Sequence, residues 1–276
     1  MSTLREKRKK ERKAKRRRKT ADWTVVLILC AIAVCCGGYL IYHHWSVKQR
    51  ELEYEKMRQE EALSAATEAV IEEPETEEST EETVIYCDPV YDFGQLHEQN
   101  EDIYAWIVVP GTQVDYPLLQ SGTDNYYLDY NLDHSKGYPG CIYTNQCNRK
   151  DFSDYNTVLY GHNMKNLSMF GSLKKYKTED FYKDHQFFTI YTTEMAYRYQ
   201  IFAYYDVPET DAVYTVGFAP DDTFQKFIDN MLQKSYDDTG VKVTKDDHIM
   251  TLSTCSTTGN RFVVHAVRIG EHALEK

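Results

Sequence analysis

The sequence predicts a mainly β protein: a closed or nearly closed barrel of about eight strands with helical insertions, preceded by a transmembrane helix. Three observations support this fold class. Short runs rich in Val, Ile, Tyr, Phe and Thr alternate with turn residues from about residue 84 onward, as expected of β-strands. Few segments in that region have a helical period. A stretch of uncharged residues, 23–42, lies near the N-terminus.

The N-terminal region has the charge pattern of a membrane anchor. Residues 1–20 contain twelve Lys or Arg and two Glu, a charge of +10, whereas the whole chain carries −11. As a helix, the uncharged stretch would span about 30 Å, the thickness of the hydrocarbon core of a bilayer. We therefore predict a cytoplasmic tail over residues 1–22 and a transmembrane anchor over 23–43, with the remainder outside the cell. A cleaved signal peptide is the alternative, but no small-x-small cleavage site follows the apolar stretch.

Residues 44–83 are predicted to form a linker. Strong helix formers extend from residue 44 to about residue 70 and carry only a thin apolar stripe. That stripe consists of Leu52, Met57 and Leu63. The next segment, EEPETEESTEET, is acidic, contains a proline and has no large apolar residue, which is typical of a solvated spacer. The linker would hold a globular domain, residues 84–276, away from the membrane.

Eight segments of the globular domain are predicted strands. In chain order they are DIYAWIVVPGT, VDYPLLQ, GCIYTN, TVLYGHN, FFTIYTT, AYRYQIFAYYDV, HIMTLSTC and RFVVHAVRI. Pro117, in the second segment, predicts an edge strand, because proline cannot donate a ladder hydrogen bond. The many tyrosines of these runs are interpreted as residues of the barrel surface and core.

Two segments of the globular domain are predicted helices. LSMFGSLKKY is the first, and DDTFQKFIDNMLQKS is the better candidate. In the second segment five apolar residues recur at helical spacing. They are Phe224, Phe227, Ile228, Met231 and Leu232. Asp221 or Asp222 is expected to cap the N-terminus of this helix.

The seven cysteines fall into two groups. Three lie inside the predicted anchor, and the other four are Cys87, Cys141, Cys147 and Cys255. The external cysteines could form disulfides in an oxidising compartment, and a Cys141–Cys147 bridge is one option. A zinc site is not favoured, because this pair lacks CxxC spacing and a partner histidine.

Cys255 stands at the end of a predicted strand, in TLSTC, and small polar residues follow it. Cysteine is a nucleophile as the thiolate, and nearby cations increase the thiolate fraction. Arg261 lies six residues further on, across a turn. If the two predicted strands are adjacent, both side chains lie at the same end of the sheet. A guanidinium there could stabilise an oxyanion, but it keeps its proton and cannot act as a base.

A proton-transfer group is therefore required, and His162 is the candidate. It follows a predicted strand and a glycine in TVLYGHNM, and strand-end loops are where catalytic residues gather. His248 and His265 lie within predicted strands and are expected to be packing or surface residues. Arg268 would lie on the opposite face of its strand from Arg261, roughly 23 Å away at about 3.3 Å per residue.

In combination, these motifs resemble a known family. TLSTC, the arginine that opens the next strand and the upstream YGHNM resemble the sortases, the membrane-anchored cysteine transpeptidases of Gram-positive bacteria, and most resemble class B. DIYAWIVVPGTQVDYPLLQ is similar to the early strands of the family, and the helix predicted over residues 221–235 is similar to a class B insertion. The resemblance covers about residues 88–270. The interval between Cys255 and Arg261 is shorter than is usual in class B.

The resemblance implies that residues 84–276 form a sortase catalytic domain with a closed sortase-type barrel. It implies that Cys255 is the nucleophile, that His162 is the proton-transfer partner and that Arg261 positions the substrate or binds the oxyanion. Substrate contacts are also expected from Leu252, Ser253, Thr254 and Asn163. No metal or cofactor is expected.

The implied reaction is a two-step acyl transfer. Cys255 attacks the carbonyl of Thr in a C-terminal sorting motif of a secreted protein, NPQTN-like or PxTG-like. A thioester forms while His162 protonates the leaving amine, and an amine of a peptidoglycan precursor then resolves the thioester. The enzyme would be a single-pass protein of the cell membrane with a cytoplasmic N-terminus. We interpret the basic run as a topology signal and expect no nucleic-acid partner.

Other readings of the sequence remain open. A class C pilin-polymerising sortase would usually carry an N-terminal lid and a C-terminal membrane span, and the tail RIGEHALEK contains no such span. A membrane-anchored cell-wall binding domain without catalysis would keep Cys255 as a buried, inert thiol. Selective alkylation of Cys255 rather than Cys87 would distinguish the enzyme from the binding domain. Hydrolysis in place of transfer is a third option, since water can also resolve a thioester.

Overall fold

The computed structural model describes residues 2–68 and 91–274 of the chain. The chain divides into two compact units, Met1–Leu52 and Glu53–Lys276. The acidic segment EEPETEESTEET and Cys87 lie outside the described residues.

Helix α1, Ser2–Glu68, contains the sequence predicted to be the membrane anchor. Among the described residues, its part Trp23–Glu60 is the stretch long and apolar enough to cross a membrane. Large apolar side chains of the predicted anchor, such as Trp23 and Leu27, are exposed, which is favourable in lipid and unfavourable in water. Length and composition thus make α1 a candidate membrane anchor.

Within the described part of the chain, eight strands close into a barrel in the order β1-β2-β3-β4-β7-β8-β6-β5. Their bounds are Ile103–Val108 (β1), Asp115–Leu119 (β2), Ile142–Thr144 (β3), Asn156–Tyr160 (β4), Phe187–Tyr191 (β5), Met195–Pro208 (β6), Ile249–Cys255 (β7) and Asn260–Ala273 (β8). The pairs β2–β3 and β4–β7 are parallel, whereas the other neighbours are antiparallel. Each predicted strand segment overlaps one of these strands, and the predicted fold class is confirmed.

The barrel is built on a main core to which every strand contributes. Its members include Ile103, Leu118, Ile142, Leu159, Phe188, Tyr199, Leu252 and Val264. Successive residues of a strand point to opposite faces, so along β8 Val264 and Ala266 enter this core while Val263 and Val267 enter a second buried cluster. Strands buried on both faces have near-continuous apolar sequences, which explains the run RFVVHAV.

The edge position predicted from Pro117 is wrong. Strand β2 lies between β1 and β3 in the closed order, and Pro117 itself is opposite Trp106 of β1. The parallel pairing with β3 involves only Leu118 and Leu119 of β2. Proline is tolerated because β3 begins only at Ile142, opposite Leu118, and offers no ladder partner to residue 117.

Five α-helices and two 3-10 helices occur among the described residues. Besides α1 they are α2 (Phe93–Gln99), α3 (Tyr126–Asp129), α4 (Glu179–Asp184), α5 (Asp222–Lys234) and the 3-10 helices Phe170–Lys177 and Ala212–Tyr214. The helix predicted over residues 221–235 is α5, and Asp221 caps it by accepting hydrogen bonds from the amides of Thr223 (2.8 Å) and Phe224 (3.1 Å). Residues Phe224, Ile228 and Met231 of α5 belong to the second buried cluster. The segment LSMFGSLKKY contains a 3-10 helix in place of the predicted helix.

Candidate active site

Cys255 is the last residue of β7, and its side chain is exposed. A four-residue turn leads into β8, closed by a hydrogen bond from Ser256 N to Asn260 O (3.1 Å). The antiparallel register places Cys255 opposite Arg261, and residues that are directly opposite have neighbouring side chains on one face of the sheet. The predicted adjacency of the two strands is therefore confirmed, and the short interval between Cys255 and Arg261 is that of a tight hairpin.

His162 reaches the same edge of the sheet through a different pairing. Strands β4 and β7 are parallel, with Tyr160 opposite Ser253, so both chains leave the sheet in the same direction. His162 follows Tyr160 by two residues, as Cys255 follows Ser253. The intervening residue must be glycine, because a Cβ at Gly161 would lie 2.8 Å from the Phe170 ring.

The imidazole of His162 is held by the chain segment that contains α3. Its Nε2 lies 2.7 Å from the carbonyl oxygen of Leu128, and the ring is tilted against Tyr138 at 4.9 Å between centroids. A carbonyl oxygen only accepts, so Nε2 carries the hydrogen in this contact. In the neutral ring Nδ1 is then the basic nitrogen.

Together with these residues, Asn163 links the histidine loop to the cysteine strand. Its Nδ2 donates a 2.6 Å hydrogen bond to the carbonyl oxygen of Cys255. The amide therefore contacts the main chain of the nucleophile candidate, whereas the sequence led us to expect a substrate contact.

The three candidate catalytic residues line one cleft of about 500 Å³. Its lining consists of Asp124, Asn125, Leu128, Tyr143, Asn145, Tyr160, Gly161, His162, Glu209, Tyr214, Ser253, Thr254, Cys255 and Arg261. Ser253 and Thr254 are thus part of the cleft lining, and their contact with substrate stays a prediction. Leu252 is fully buried in the main core, because alternation along β7 turns its side chain to the other face from Ser253. The Leu252 side chain has no surface left for a substrate.

Three tyrosines form one wall of the cleft. The ring of Tyr160 stacks on Tyr143 at 5.3 Å and on Tyr214 at 6.0 Å, and the Tyr214 hydroxyl lies 3.1 Å from Ser253 Oγ. Burial raises the pKa of Tyr214 to about 12, although the Ser253 hydrogen bond and Arg261 oppose this rise. Tyr214 is therefore a neutral hydroxyl at physiological pH. The sequence analysis interpreted the tyrosines only as residues of the barrel surface and core, so it did not predict that three of them line the cleft.

Arg261 is paired with a carboxylate that the sequence analysis did not identify. Its Nη2 donates to Glu209 Oε2 at 2.9 Å, and the two side chains are 30% and 52% exposed. The main chain reinforces the pair, since Glu209 N donates to Gly259 O at 3.0 Å. Glu209 reaches Arg261 because β6 pairs with β8, which sets Pro208 opposite Asn260. No local sequence signal indicates that pairing.

A second ion pair fixes the turn that follows Cys255. Lys177 Nζ lies 2.6 Å from Asp206 Oδ2 and donates to Ser256 Oγ at 3.2 Å, and the Tyr236 hydroxyl also donates to Asp206. Partial burial raises the pKa of Asp206, but the hydrogen bonds from Lys177, Ser256 and Tyr236 outweigh it, so the pKa lies below the usual range. The carboxylate is therefore ionised at neutral pH and anchors the turn.

Cys141 and Cys147, the other described cysteines of the barrel unit, do not line this cleft. Cys141 is buried and its thiol lies 3.6 Å from the carbonyl oxygen of Tyr130, whereas Cys147 is exposed. Among the described cysteines there is no disulfide, so the possible Cys141–Cys147 bridge is not formed.

The barrel and its cleft define a class of protein. A thiol at one strand end, an imidazole at the end of a parallel neighbour and a guanidinium opposite the thiol are the groups of a cysteine-dependent enzyme. The thiol is exposed, as a nucleophile must be, which argues against the inert thiol of a binding domain.

Comparison with known proteins identifies the family. The family model of the sortase domain matches residues 107–269. Sortase B of Listeria monocytogenes is 39% identical over 163 residues, which are 59% of this chain and 66%, just under two thirds, of that relative. Sortase B of Staphylococcus aureus is 30% identical over 248 residues, covering 88% of this chain and 95% of the relative. The chain belongs to the sortase family, the cysteine transpeptidases, and these relatives are of class B.

Solved structures agree with the sequence comparison. The Staphylococcus aureus sortase B–substrate complex superposes with a TM-score of 0.68 at 30% identity, covering 80% of this chain and 97% of that one.

Proposed function

We propose that this sortase cleaves a C-terminal sorting motif after Thr, holds the secreted protein as a thioester on Cys255 and transfers it to an amine of peptidoglycan. The observation that carries the proposal is the convergence of Cys255, His162 and Arg261 on one cleft. The Staphylococcus aureus structure to which the chain is similar is a complex with substrate, which supports a peptide substrate in the corresponding cleft.

The first step forms the acyl-enzyme. The sulfur of Cys255 attacks the carbonyl carbon of the motif Thr, and its proton resides on Nδ1 of His162, because Nε2 already donates to Leu128 O. Negative charge develops on the carbonyl oxygen, where an N–H of Arg261 stabilises it. The C–N bond then breaks, and the departing amine takes the proton from His162.

The second step reverses these roles. An amine of the peptidoglycan precursor attacks the thioester carbon, and Nδ1 of His162 accepts the proton that the amine loses. The C–S bond breaks and Cys255 leaves as thiolate, which restores the starting state. Water in place of the amine would give hydrolysis, so the acceptor must reach the cleft before water resolves the thioester.

We further propose that α1 anchors the enzyme in the cell membrane as a single-pass protein, with the N-terminus in the cytoplasm and the catalytic domain outside. The uncharged stretch 23–42 and the +10 charge of residues 1–20 support this orientation. Secreted clients and peptidoglycan amines are both found on that outer side.

The test is a peptide-library cleavage assay on the full chain in detergent. The library contains NPQTN-like and PxTG-like peptides, with an amine acceptor present. We expect cleavage after Thr, a covalent peptide adduct on Cys255 by mass spectrometry, and loss of both in Cys255→Ala. Cys147→Ala, which removes another exposed thiol, is the matched control and should cleave normally. Cleavage that survives in Cys255→Ala, or an enzyme that cuts no library peptide, would contradict the proposal.

A further inference from the structure

The part of α1 that follows residue 52 packs into the barrel unit. Tyr54 and Met57 are 4% and 3% exposed and belong to the main core cluster. The Tyr54 hydroxyl donates to the carbonyl oxygen of Gly140 at 3.2 Å and lies 3.4 Å from Cys141 Sγ. This long-range hydrogen bond joins a residue far outside the family match to the segment that holds His162.

Gly140 lies next to the His162 imidazole, with no room between them for a larger residue. Its φ is +67°, and a Cβ there would lie 3.4 Å from His162 Cδ2, 3.0 Å from Leu128 O and 2.6 Å from Tyr127 O. A Cβ at this position would therefore press on both the imidazole and the carbonyl to which Nε2 donates. The peptide that follows Gly140 is tied to the same segment, because Cys141 N donates to Tyr127 O at 3.0 Å, so a rotation of this peptide would displace the main chain beside the hydrogen-bond acceptor of His162.

A second set of contacts leads from the same helix to the other end of the histidine loop. The rings of Tyr54 and Tyr116 meet edge to face at 5.1 Å, and the guanidinium of Arg58 lies 5.3 Å from the centre of the Tyr116 ring. The Tyr116 hydroxyl in turn accepts a 3.2 Å hydrogen bond from Met169 N, and Met169 is bridged to Asn163.

We propose that Tyr54 is a positioning residue for catalysis. Its hydroxyl fixes the carbonyl of Gly140, and through it the orientation and tautomer of His162. Without the hydroxyl, a phenylalanine ring still fills the core, but the Gly140 carbonyl loses its Tyr54 donor, and the peptide loses one of its two restraints while the hydrogen bond from Cys141 N to Tyr127 O remains. A displacement of about 1 Å in a catalytic group is enough to reduce rate strongly. This inference rests on the proposed role of His162 in proton transfer.

The test compares Tyr54→Phe with Tyr182→Phe in the full chain. Tyr182 is a matched control because its buried hydroxyl also donates to a main-chain carbonyl, that of Ile201 at 3.1 Å, away from the cleft lining. For Tyr54→Phe we expect kcat to fall about tenfold with KM within twofold, and the pH profile of kcat/KM to shift. Nitrogen NMR of labelled histidine should show His162 leaving the single Nε2–H tautomer. Tyr182→Phe should retain the wild-type kcat, pH profile and tautomer.

The outcomes distinguish a failure of the positioning role of Tyr54 from a failure of the proposed function. Wild-type pH profile and tautomer in Tyr54→Phe, or equal losses in both variants, would overturn the positioning role even if activity fell. A His162→Ala variant that still transfers peptide would overturn the proposed function itself. The NMR readout does not depend on turnover, so it tests Tyr54 in either case.

Discussion

The pair Arg261–Glu209 sets the geometry of the guanidinium before substrate arrives. Arginine has five N–H donors, so Nη2 can remain with Glu209 while other N–H groups face the cleft. The carboxylate thus orients the group that we propose binds the oxyanion. Because both side chains are partly exposed, the pair has only a small effect on stability, about 0–1 kcal/mol.

Glu209→Gln is expected to lower kcat/KM about threefold with little change in folding stability, because the ion pair that orients Arg261 is lost while one acceptor oxygen remains. Steady-state kinetics at low and high salt will measure this, and the wild type should approach the variant as salt screens the pair. Glu271→Gln is the control, since Glu271 forms a similarly exposed pair with Arg268 (3.2 Å) outside the cleft lining. An equal effect of both substitutions on kcat/KM would contradict a specific role for Glu209.

At the scale of single residues, the sequence identified candidates that are marked by their immediate neighbours in the chain. Cys255, His162 and Arg261 each lie at the end of a predicted strand segment, so the strand ends alone single them out. Glu209 and Tyr214 reach the cleft through the pairing of distant strands and through a short 3-10 helix. Pairing between β6 and β8 is a long-range property that hydrophobic alternation does not specify.

Strand β8 contains one fully buried polar side chain, the imidazole of His265. Its Nδ1 lies 3.0 Å from Thr251 Oγ1, which itself donates to Asn156 Oδ1 at 3.0 Å. The threonine hydroxyl therefore accepts from Nδ1–H, and Nε2 has no hydrogen-bond partner among the described residues. Burial, with a smaller effect of Lys234, lowers the pKa of His265 to about 3.

The stability of the folded state should depend on pH through His265. The unfolded chain takes up a proton near pH 6.5, but the folded chain does so only near pH 3, so stability is lost as pH falls below 6.5. Between pH 7.5 and pH 5 this loss amounts to about 2 kcal/mol. Urea denaturation should show that loss in the wild type and in the exposed-site control His272→Gln. His265→Gln should lack it; the same pH dependence in all three proteins would refute this assignment.

Elements were predictable where they are long or strongly patterned. The long strands β6 and β8 carry runs of β-branched and aromatic residues, and α5 has a complete apolar stripe with a capping aspartate. Helices α2, α3 and α4 have four to seven residues, too few for a helical period to stand out. Pro117 led to the wrong prediction of an edge strand for a different reason. Proline is excluded from central strands only where its missing N–H would be needed in the ladder, and β3 pairs only with Leu118 and Leu119 of β2.

At the scale of the whole molecule, the described structure extends the barrel unit beyond the predicted domain start at residue 84. Tyr54 and Met57 pack into the main core, although residues 44–83 were predicted to be a linker. The sequence analysis found only a thin apolar stripe of three residues in a polar helix, and Tyr54 was not counted among them. The sequence alone could not reveal the complementary surface around Tyr116 against which this side of the helix packs.

Removing residues 45–83, which include Tyr54 and Met57, should therefore destabilise the barrel. A chain of residues 84–276 lacks the buried Tyr54 and Met57 side chains, and the loss should be about 3 kcal/mol relative to residues 45–276. The midpoints of urea denaturation of the two soluble chains will measure the difference. Equal midpoints would show that the packed helix residues contribute nothing to stability.

The parallel register of β4 and β7 has a consequence for how this scaffold can diversify. Main-chain hydrogen bonds, to which no side chain contributes, fix Tyr160 opposite Ser253 and thereby set the spacing of imidazole and sulfur. Residues 215–248, which include α5 and lead into β7, line no part of the cleft, so this segment can be lengthened, shortened or exchanged while the reacting atoms stay in place. An engineer can graft foreign segments there and leave β4, His162 and β7 untouched.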